Sequence, residues 1–275
     1  MDEPLQVVIA SAMQILVAGG LLILFVFVLG WLERNTFRKL VEAFGLRAVT
    51  YSTGWLGVVA HELGHILACL IFFHKISAIC LFKPDLESDV MGYVRASWNP
   101  RNPWQRIGCF FVGIAPLFTG SALLIGSSYL LIPGFPAFLR GLLEYVLSGN
   151  GNGYMEQVDP LSYAAMGTIK TILSPSNFAR WEFWVFLYFS ICISGHIAPS
   201  SADLRNARKG IIIIVLLVLG ANFAAVASGM DVFSYSLESA KYLGVVVAFL
   251  SIATLLSLLN FSVSYLLSLV WNHAR

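Results

Sequence analysis

The sequence predicts an all-α polytopic membrane protein with about six transmembrane helices and a short β-hairpin after the second. Hydrophobic residues make up 58% of the 275 positions and charged residues only 12%, and the mean hydropathy is +0.78. A soluble domain is about 25% charged, so this composition excludes an ordinary soluble fold. The apolar residues also form runs close to the roughly 20 positions that a transmembrane helix needs. We therefore expect an integral, multi-pass protein of the cell membrane, surrounded by the lipid bilayer.

Charge and cysteine content narrow the possible functions further. The net charge is only +2 and no basic tract occurs, so we expect no nucleic-acid partner. The four cysteines form no Cys-x-x-Cys pair and lie in apolar or strand-like stretches, so we expect them to pack as small hydrophobic residues without disulfides. No internal repeat is evident, and residues 1–275 are predicted to form a single membrane-embedded domain.

The first two predicted spans cover residues 7–32 and 51–73. The N-terminus is acidic where a signal peptide is basic, and its apolar run is too long for a cleaved signal, so we expect a retained membrane helix. Residues 33–49 carry four basic side chains, with apolar side chains at helical spacing between them. This pattern predicts a separate amphipathic helix that lies on the membrane interface.

Residues 74–106 are polar, and their hydrophobic period changes from helical to strand-like. Residues 76–82 and 90–98 have the composition and alternation of strands, and the polar stretch 83–89 lies between them. Two such strands separated by a turn predict a β-hairpin. We interpret the three acids of the turn as a solvated hairpin tip rather than as a cation site.

The rest of the chain is predicted to hold four further spans, at residues 107–132, 181–199, 211–230 and 242–271. The first of these carries small residues and a proline, which favour close helix packing and a kink: Gly108, Gly113, Pro116 and Gly120. Residues 133–180 contain no convincing span, so we expect interfacial or re-entrant helices there, with a loop at 149–153. If the spans alternate, the basic loop residues divide almost evenly between the two sides, so no orientation is predicted.

A His-Glu-x-x-His motif at residues 61–65 lies in the middle of the second predicted span. Side chains four positions apart share a helix face, so His61 and His65 can bind one metal ion. Glu62 lies one step round the helix and can reach a metal-bound water as a general base. A charged group at mid-bilayer costs at least ~2.5–3.5 kcal/mol, which favours a functional over a merely structural role for this cluster. The motif therefore predicts a Zn²⁺ hydrolase site that needs a third protein ligand.

The third ligand is expected among the carboxylates within or bordering the predicted spans, which are Glu33, Glu182, Asp203, Asp231 and Glu238. If spans alternate, the second and fourth run in the same direction, and both carry their polar residues toward the same side of the membrane. This arrangement favours Asp203 as the ligand. The alternative is that Asp203 is a surface acid that pairs with Arg205 or Arg208 beside a helix end.

His196 precedes Asp203 by two helical turns and shares its face if the helix continues through Pro199. Three roles stay open for this histidine: the metal ligand in place of Asp203, a donor to the oxyanion of the reaction, or a packed residue bound to a backbone carbonyl. We favour the oxyanion donor as its catalytic role, because an Asp ligand leaves the imidazole free. If Pro199 interrupts the helix, an unwound segment can present Ser200 and backbone groups to a substrate.

These residues resemble the site-2-protease family of intramembrane zinc metalloproteases, peptidase family M50. The resemblance covers about residues 51–210 and lies in His-Glu-Leu-Gly-His at 61–65, the hairpin after it, Gly-Ile-Ala-Pro at 113–116 and a later helix that supplies an Asp. It implies that His61, His65 and Asp203 bind Zn²⁺, that Glu62 is the general base, and that the hairpin binds an unwound substrate strand. The family's usual second motif contains Asp-Gly, whereas Asp203 lies in Pro-Ser-Ser-Ala-Asp-Leu, so the chain resembles a divergent branch.

The expected function is that of a zinc endopeptidase, which hydrolyses a peptide bond in or near a transmembrane segment of a membrane-protein substrate. The first alternative is a catalytically inactive protein of the same kind that acts through metal or partner binding. The intact Glu62 disfavours it, because metal binding alone does not require that acid. The second alternative is a metal transporter, which predicts a polar pathway through several spans, whereas four of the six predicted spans are nearly free of charge.

Overall fold

The computed structural model describes residues 3–84, 91–148 and 160–273, and these residues are mainly helical. The helices, in chain order, are α1 (Glu3–Phe44), α2 (Leu46–Val49), α3 (Trp55–Ile71), α4 (Pro103–Leu131), α5 (Phe135–Ser148), α6 (Pro160–Ile172), α7 (Trp181–Ser194), α8 (Ser201–Ala227) and α9 (Val232–His273). A π-helical turn, Thr50–Gly54, joins α2 to α3, and a 3-10 turn, Pro175–Asn177, precedes α7. Two strands, β1 (Lys75–Cys80) and β2 (Tyr93–Ser97), lie between α3 and α4.

Five helical segments in the described part of the chain are long and apolar enough to cross a bilayer, which agrees with the predicted class of membrane protein. They are Pro4–Phe44, Leu46–Ile71, Pro103–Leu131, Ser201–Ala227 and Ala240–His273. The predicted span at 181–199 differs, because α7 is apolar but only 14 residues long. Such a helix measures about 21 Å, which is shorter than the roughly 30 Å hydrocarbon core. Helix α7 ends at Ser194 with Gly195 as its C-cap. Pro199 disfavours helical backbone at Ala198, so the helix does not resume before that proline.

The separate interfacial helix predicted at 33–49 is wrong, because α1 continues without a break to Phe44. No glycine or proline occurs between residues 31 and 44, so nothing in this stretch interrupts the helical hydrogen bonds. The helix ends only at Gly45, whose positive φ of 84° is a conformation that glycine adopts freely. On the exposed surface, Glu42 pairs with Lys39 at 2.6 Å and with Arg38 at 3.8 Å.

The β-hairpin predicted after the second span is confirmed. Strands β1 and β2 pair antiparallel, with Ile79 opposite Val94. The strands are shorter than the predicted segments, and residues 85–90 of the predicted turn lie outside the described residues. The hairpin lies along α3, since Gly92 contacts Val58. The hairpin is therefore held beside the helix that carries the His-Glu-x-x-His motif.

Small residues bring α3, α4 and α8 close together, as predicted. Gly64 of α3 packs against the α4 backbone at Pro116, and a Cβ at this position would overlap its neighbours. Gly113 of α4 packs against the backbone of α8 at Asp203 and Ala207, with no room for a side chain. Both α3 and α8 therefore pack closely against α4.

Helices α3 and α7 run in the same direction, as predicted for the second and fourth spans. The Tyr188 hydroxyl donates to the Ser52 carbonyl at 2.6 Å, and one turn further along both helices Gly57 packs against the Cys192 carbonyl. The parallel pair brings the end of α7 beside His61. The chain that follows α7 therefore enters the region of the motif.

The main apolar core lies among α1, α4, α5, α6, α7 and α9. Its fully buried members include Leu29, Leu117, Phe135, Ile172, Phe186, Leu250 and Ile252. Helices α5 and α6 confirm that helices occur within residues 133–180, while their interfacial or re-entrant placement stays a prediction. The loop expected at 149–153 lies outside the described residues. Helix α4 belongs to this core and also packs against α3 and α8, so it joins the core to those two helices.

Candidate metal centre

Three predicted metal ligands, His61, His65 and Asp203, come together where α3 meets the start of α8. The Nε2 atoms of the two histidines are 3.3 Å apart. His61 Nε2 lies 3.4 Å from Asp203 Oδ2, and His65 Nε2 lies 3.2 Å from Asp203 Oδ1. These three residues form the ligand cluster, and within the described residues it does not include His196.

The helix spacing predicted from the motif explains how α3 contributes to the ligand cluster. His61 and His65 are one turn apart and both face the interior, with His65 only 8% exposed. Gly64 lies between them in sequence and packs on α4, so the same stretch of α3 is pressed against its neighbour. The two imidazoles therefore point into a protein-lined space rather than toward lipid.

Asp203 reaches the ligand cluster because it lies in the first turn of α8, which begins with a capping box. Ser200 Oγ accepts a hydrogen bond from the Asp203 amide at 3.2 Å, and Asp203 Oδ2 accepts one from the Ser200 amide at 2.7 Å. This reciprocal pair holds the carboxylate at the helix N-terminus. Among the described residues, the ion-pair partners of Asp203 are the two histidines rather than Arg205 or Arg208.

Two backbone carbonyls determine that the Nδ1 atom of each histidine ring carries a proton. His61 Nδ1 lies 3.0 Å from the His196 carbonyl oxygen, and His65 Nδ1 lies 2.9 Å from the Val112 carbonyl oxygen. A carbonyl can only accept, so each Nδ1 carries a proton, and in a neutral imidazole the Nε2 then holds a lone pair. When both imidazoles are neutral, two lone pairs and a carboxylate face one another at 3.2–3.4 Å. This arrangement is repulsive unless a cation or additional protons lie between the groups.

The spacing of the ligand cluster is compatible with one tetrahedral metal ion. Zinc–nitrogen bonds of about 2.0–2.1 Å in tetrahedral geometry place neighbouring ligand atoms roughly 3.3 Å apart. The two Nε2 atoms are 3.3 Å apart, and each lies 3.2–3.4 Å from a different oxygen of the Asp203 carboxylate. With one ligand atom taken from each residue, the three atoms lie within 4.8 Å of one another. Metal-binding histidines also commonly donate their other ring N–H to a carbonyl, as both do here. The residues present therefore fit a zinc ion with three protein ligands.

Glu62 and the three ligands line one cavity of about 650 Å³. Glu62 is 7% exposed, lies outside the ligand cluster, and follows His61 directly in sequence on α3. A carboxylate in this position can exchange a proton with a water bound at the ligand cluster. Residues 91–94 of the hairpin line the same cavity.

His196 lines the cavity and contributes its carbonyl to His61, while its imidazole lies outside the ligand cluster. Its Nδ1 lies 3.4 Å from the Cys192 carbonyl oxygen, and its ring packs against Gly57 and, edge-on, against Phe37 at 6.3 Å between centroids. Of the two possibilities left open for Pro199, the structure shows the interrupted helix, because residues 195–200 are not helical. These contacts favour the packed histidine among the roles left open above, and the role of oxyanion donor stays a prediction.

Two further residues surround the ligand cluster in roles that the sequence did not predict. Glu33 of α1, considered above only as a possible third ligand, lines the cavity, and its Oε2 accepts a hydrogen bond from the Ala198 amide at 2.7 Å. Its position at the end of the first apolar run was the available signal for it. Val112 acts through its carbonyl alone, and no side-chain pattern marks a backbone acceptor.

Comparison with protein-family models, with curated proteins and with solved structures finds no match to this chain. The resemblance to the site-2-protease family therefore stays a prediction that rests on the motif.

Proposed function

We propose that this chain is a membrane-embedded zinc endopeptidase, resembling the site-2 proteases, that cuts a membrane-protein or peptide substrate in or near a transmembrane segment. The observation that carries the proposal is the meeting of Asp203, from the start of α8, with the two Nε2 atoms of the α3 motif. A third ligand in this place completes the donor set of a catalytic zinc site, which uses three protein ligands and leaves a fourth position for water.

The position of Glu62 supports a hydrolytic rather than a purely structural metal site. Zinc, when bound, supplies a water of lowered pKa and polarises the scissile carbonyl. Glu62 would act as the general base, taking a proton from the attacking water and giving it to the departing amine. The backbone carbonyls of His196 and Val112 accept from the two imidazoles and so keep both rings oriented.

The hairpin supports a peptide as the substrate class. Residues 91–94 line the cavity beside Glu62, and among the described residues β2 pairs with β1 alone. The outer edge of β2 therefore offers unpaired backbone groups to an extended chain, which binds such edges by strand addition. Helical carbonyls are shielded, so a transmembrane substrate must unwind locally before it reaches Glu62.

Zinc content and cleavage, measured on the same purified samples, test the proposal. We expect about one zinc per protein in the wild type and in Glu62→Gln, and far less in Asp203→Ala, because three ligands set the affinity. Cleavage of a fluorogenic library of single-span peptides in proteoliposomes should fall about 10²- to 10⁴-fold in Glu62→Gln. Glu182→Gln, which removes a carboxylate paired with Arg180 at 2.9 Å, is the matched control and should equal the wild type.

Each result bears on a different part of the proposal. Full cleavage by Glu62→Gln would show that the mechanism is wrong. A wild type that binds zinc but cuts none of the library would favour the inactive alternative, which acts through metal or partner binding. A wild type that takes up no zinc under conditions that load other zinc enzymes would refute the proposal.

A further inference from the structure

One face of α1 lies against the non-helical residues 195–200, here called the connector. Gly30, Glu33 and Phe37 are spaced one turn apart on that face. A Cβ on Gly30 would lie 3.5 Å from that of Ala198, Glu33 Oε2 accepts from the Ala198 amide at 2.7 Å, and Phe37 packs edge-on to His196. The contact is therefore continuous along two turns of α1.

The connector touches two of the three ligands. Its His196 carbonyl accepts from His61 Nδ1 at 3.0 Å, and its Ser200 amide donates to Asp203 Oδ2 at 2.7 Å. Ala198 lies between these two contacts and is the point at which Glu33 holds the connector. A shift of Ala198 would move both the acceptor of His61 and the cap of Asp203.

Glu33 is costly to place here, because a carboxyl group that packs against the connector loses hydration. The structure satisfies it with a backbone donor, the Ala198 amide, at 2.7 Å. This donor belongs to the connector. An apolar side chain at position 33 would leave the amide without this acceptor.

We propose that Glu33 is a positioning residue of the zinc site: by accepting the Ala198 amide, it fixes the connector that orients His61 and caps Asp203. The inference rests on the proposed function for the metal, and on the α1–connector contacts for the positioning. An oxygen acceptor at this position is what the connector requires, and either protonation state of the carboxyl group supplies one.

Three variants of Glu33 separate the acceptor from charge and bulk. Glu33→Leu keeps the bulk without an acceptor, Glu33→Gln keeps an oxygen acceptor without the charge, and Glu33→Asp keeps the acid but is one methylene shorter. Glu42→Leu is the matched control, since Glu42 is an exposed acid of the same helix that pairs with Lys39. Hydrogen–deuterium exchange of the connector in metal-free protein and zinc affinity by chelator competition are measured for each.

We expect Glu33→Leu and Glu33→Asp to exchange the connector amides at least about tenfold faster and to bind zinc about 10- to 100-fold more weakly, as for other residues that support a metal ligand. Glu33→Gln should stay within about threefold of the wild type in both measurements, because its amide oxygen accepts the same hydrogen bond. Glu42→Leu should match the wild type.

Unchanged connector exchange in Glu33→Leu and Glu33→Asp would overturn the inference, and so would an equal defect in Glu33→Gln, because charge would then be the cause. If Glu33→Leu does not fold, the contrast between Glu33→Asp and Glu33→Gln decides. The exchange measurement needs no metal, so it distinguishes the two proposals. A wild type without zinc refutes the proposed function, while connector exchange still shows whether Glu33 holds the connector.

Discussion

The two carboxylate oxygens of Asp203 face different histidines, and one of these oxygens also caps the N-terminus of α8. Oδ2 accepts the Ser200 amide at 2.7 Å and lies 3.4 Å from His61, whereas Oδ1 lies 3.2 Å from His65. Since Oδ2 is already engaged, Oδ1 is the oxygen more available to a metal. The same side chain thus begins the helix and completes the ligand cluster, which ties the start of α8 to α3.

His196→Ala separates the backbone role of this residue from a catalytic role of its imidazole. The contact with His61 uses the carbonyl, which the substitution retains. We therefore expect His196→Ala to keep about one zinc per protein and to cut the peptide library with less than a tenfold loss. Metal analysis and the cleavage assay of the same sample check this. A loss of about 10²- to 10³-fold with zinc retained would restore the oxyanion donor, because removal of such a donor has that effect.

Prediction from the sequence succeeded for residues whose pattern is local. The pair His61 and His65 follows from helical spacing, and the hairpin follows from its change of period. Asp203 was predicted because the second and fourth predicted spans run in the same direction across the membrane. Ser-Ser-Ala-Asp at 200–203 also has the spacing of a capping box, which marks the start of a helix. The contacts of Glu33 with the connector could not be predicted, because they join distant parts of the chain.

At the scale of elements, the ligand cluster depends on how closely α8 approaches α4. Gly113 lies against the Asp203 carbonyl and the Ala207 backbone, where a Cβ has no room. Any added side chain must therefore push the start of α8 outward, and Asp203 moves with it. The small residues of α4 were predicted to favour packing, but only the structure shows which helix each of them contacts.

Gly113→Ala tests this element-level dependence. We expect it to weaken zinc binding at least about tenfold and to lower the melting temperature, because packed backbones must separate. Gly126→Ala on the same helix is the control, since no neighbouring atom lies within 4 Å of the Cβ that it would add. It should be neutral or stabilising, because alanine is favoured over glycine in helices by about 1 kcal/mol. Equal zinc affinity in the two variants would contradict the role assigned to Gly113.

At the scale of the whole molecule, the proposed metal links segments that the sequence separates widely. His61 and His65 belong to α3, and Asp203 belongs to α8, while α4 packs against both. The number of long apolar helices could be predicted closely from composition, but their neighbours could not, because any apolar face can pack on another. The predicted end of the first helix was wrong because the charged residues after it predicted a new helix, whereas charges by themselves do not end a helix.

A metal that joins α3 to α8 should stabilise the entire fold, since an ion bound only by the folded state shifts unfolding by mass action. At a free zinc concentration of 100 times the dissociation constant, the stabilisation is about 2.7 kcal/mol. We therefore expect zinc to raise the melting temperature of the wild type in detergent, and a chelator to reverse the change. The increase should diminish as the pH falls, because imidazole ligands must be neutral to bind metal. Asp203→Ala should show little increase and Glu182→Gln the full one. An equal zinc-dependent increase in Asp203→Ala would place the stabilising metal elsewhere in the protein.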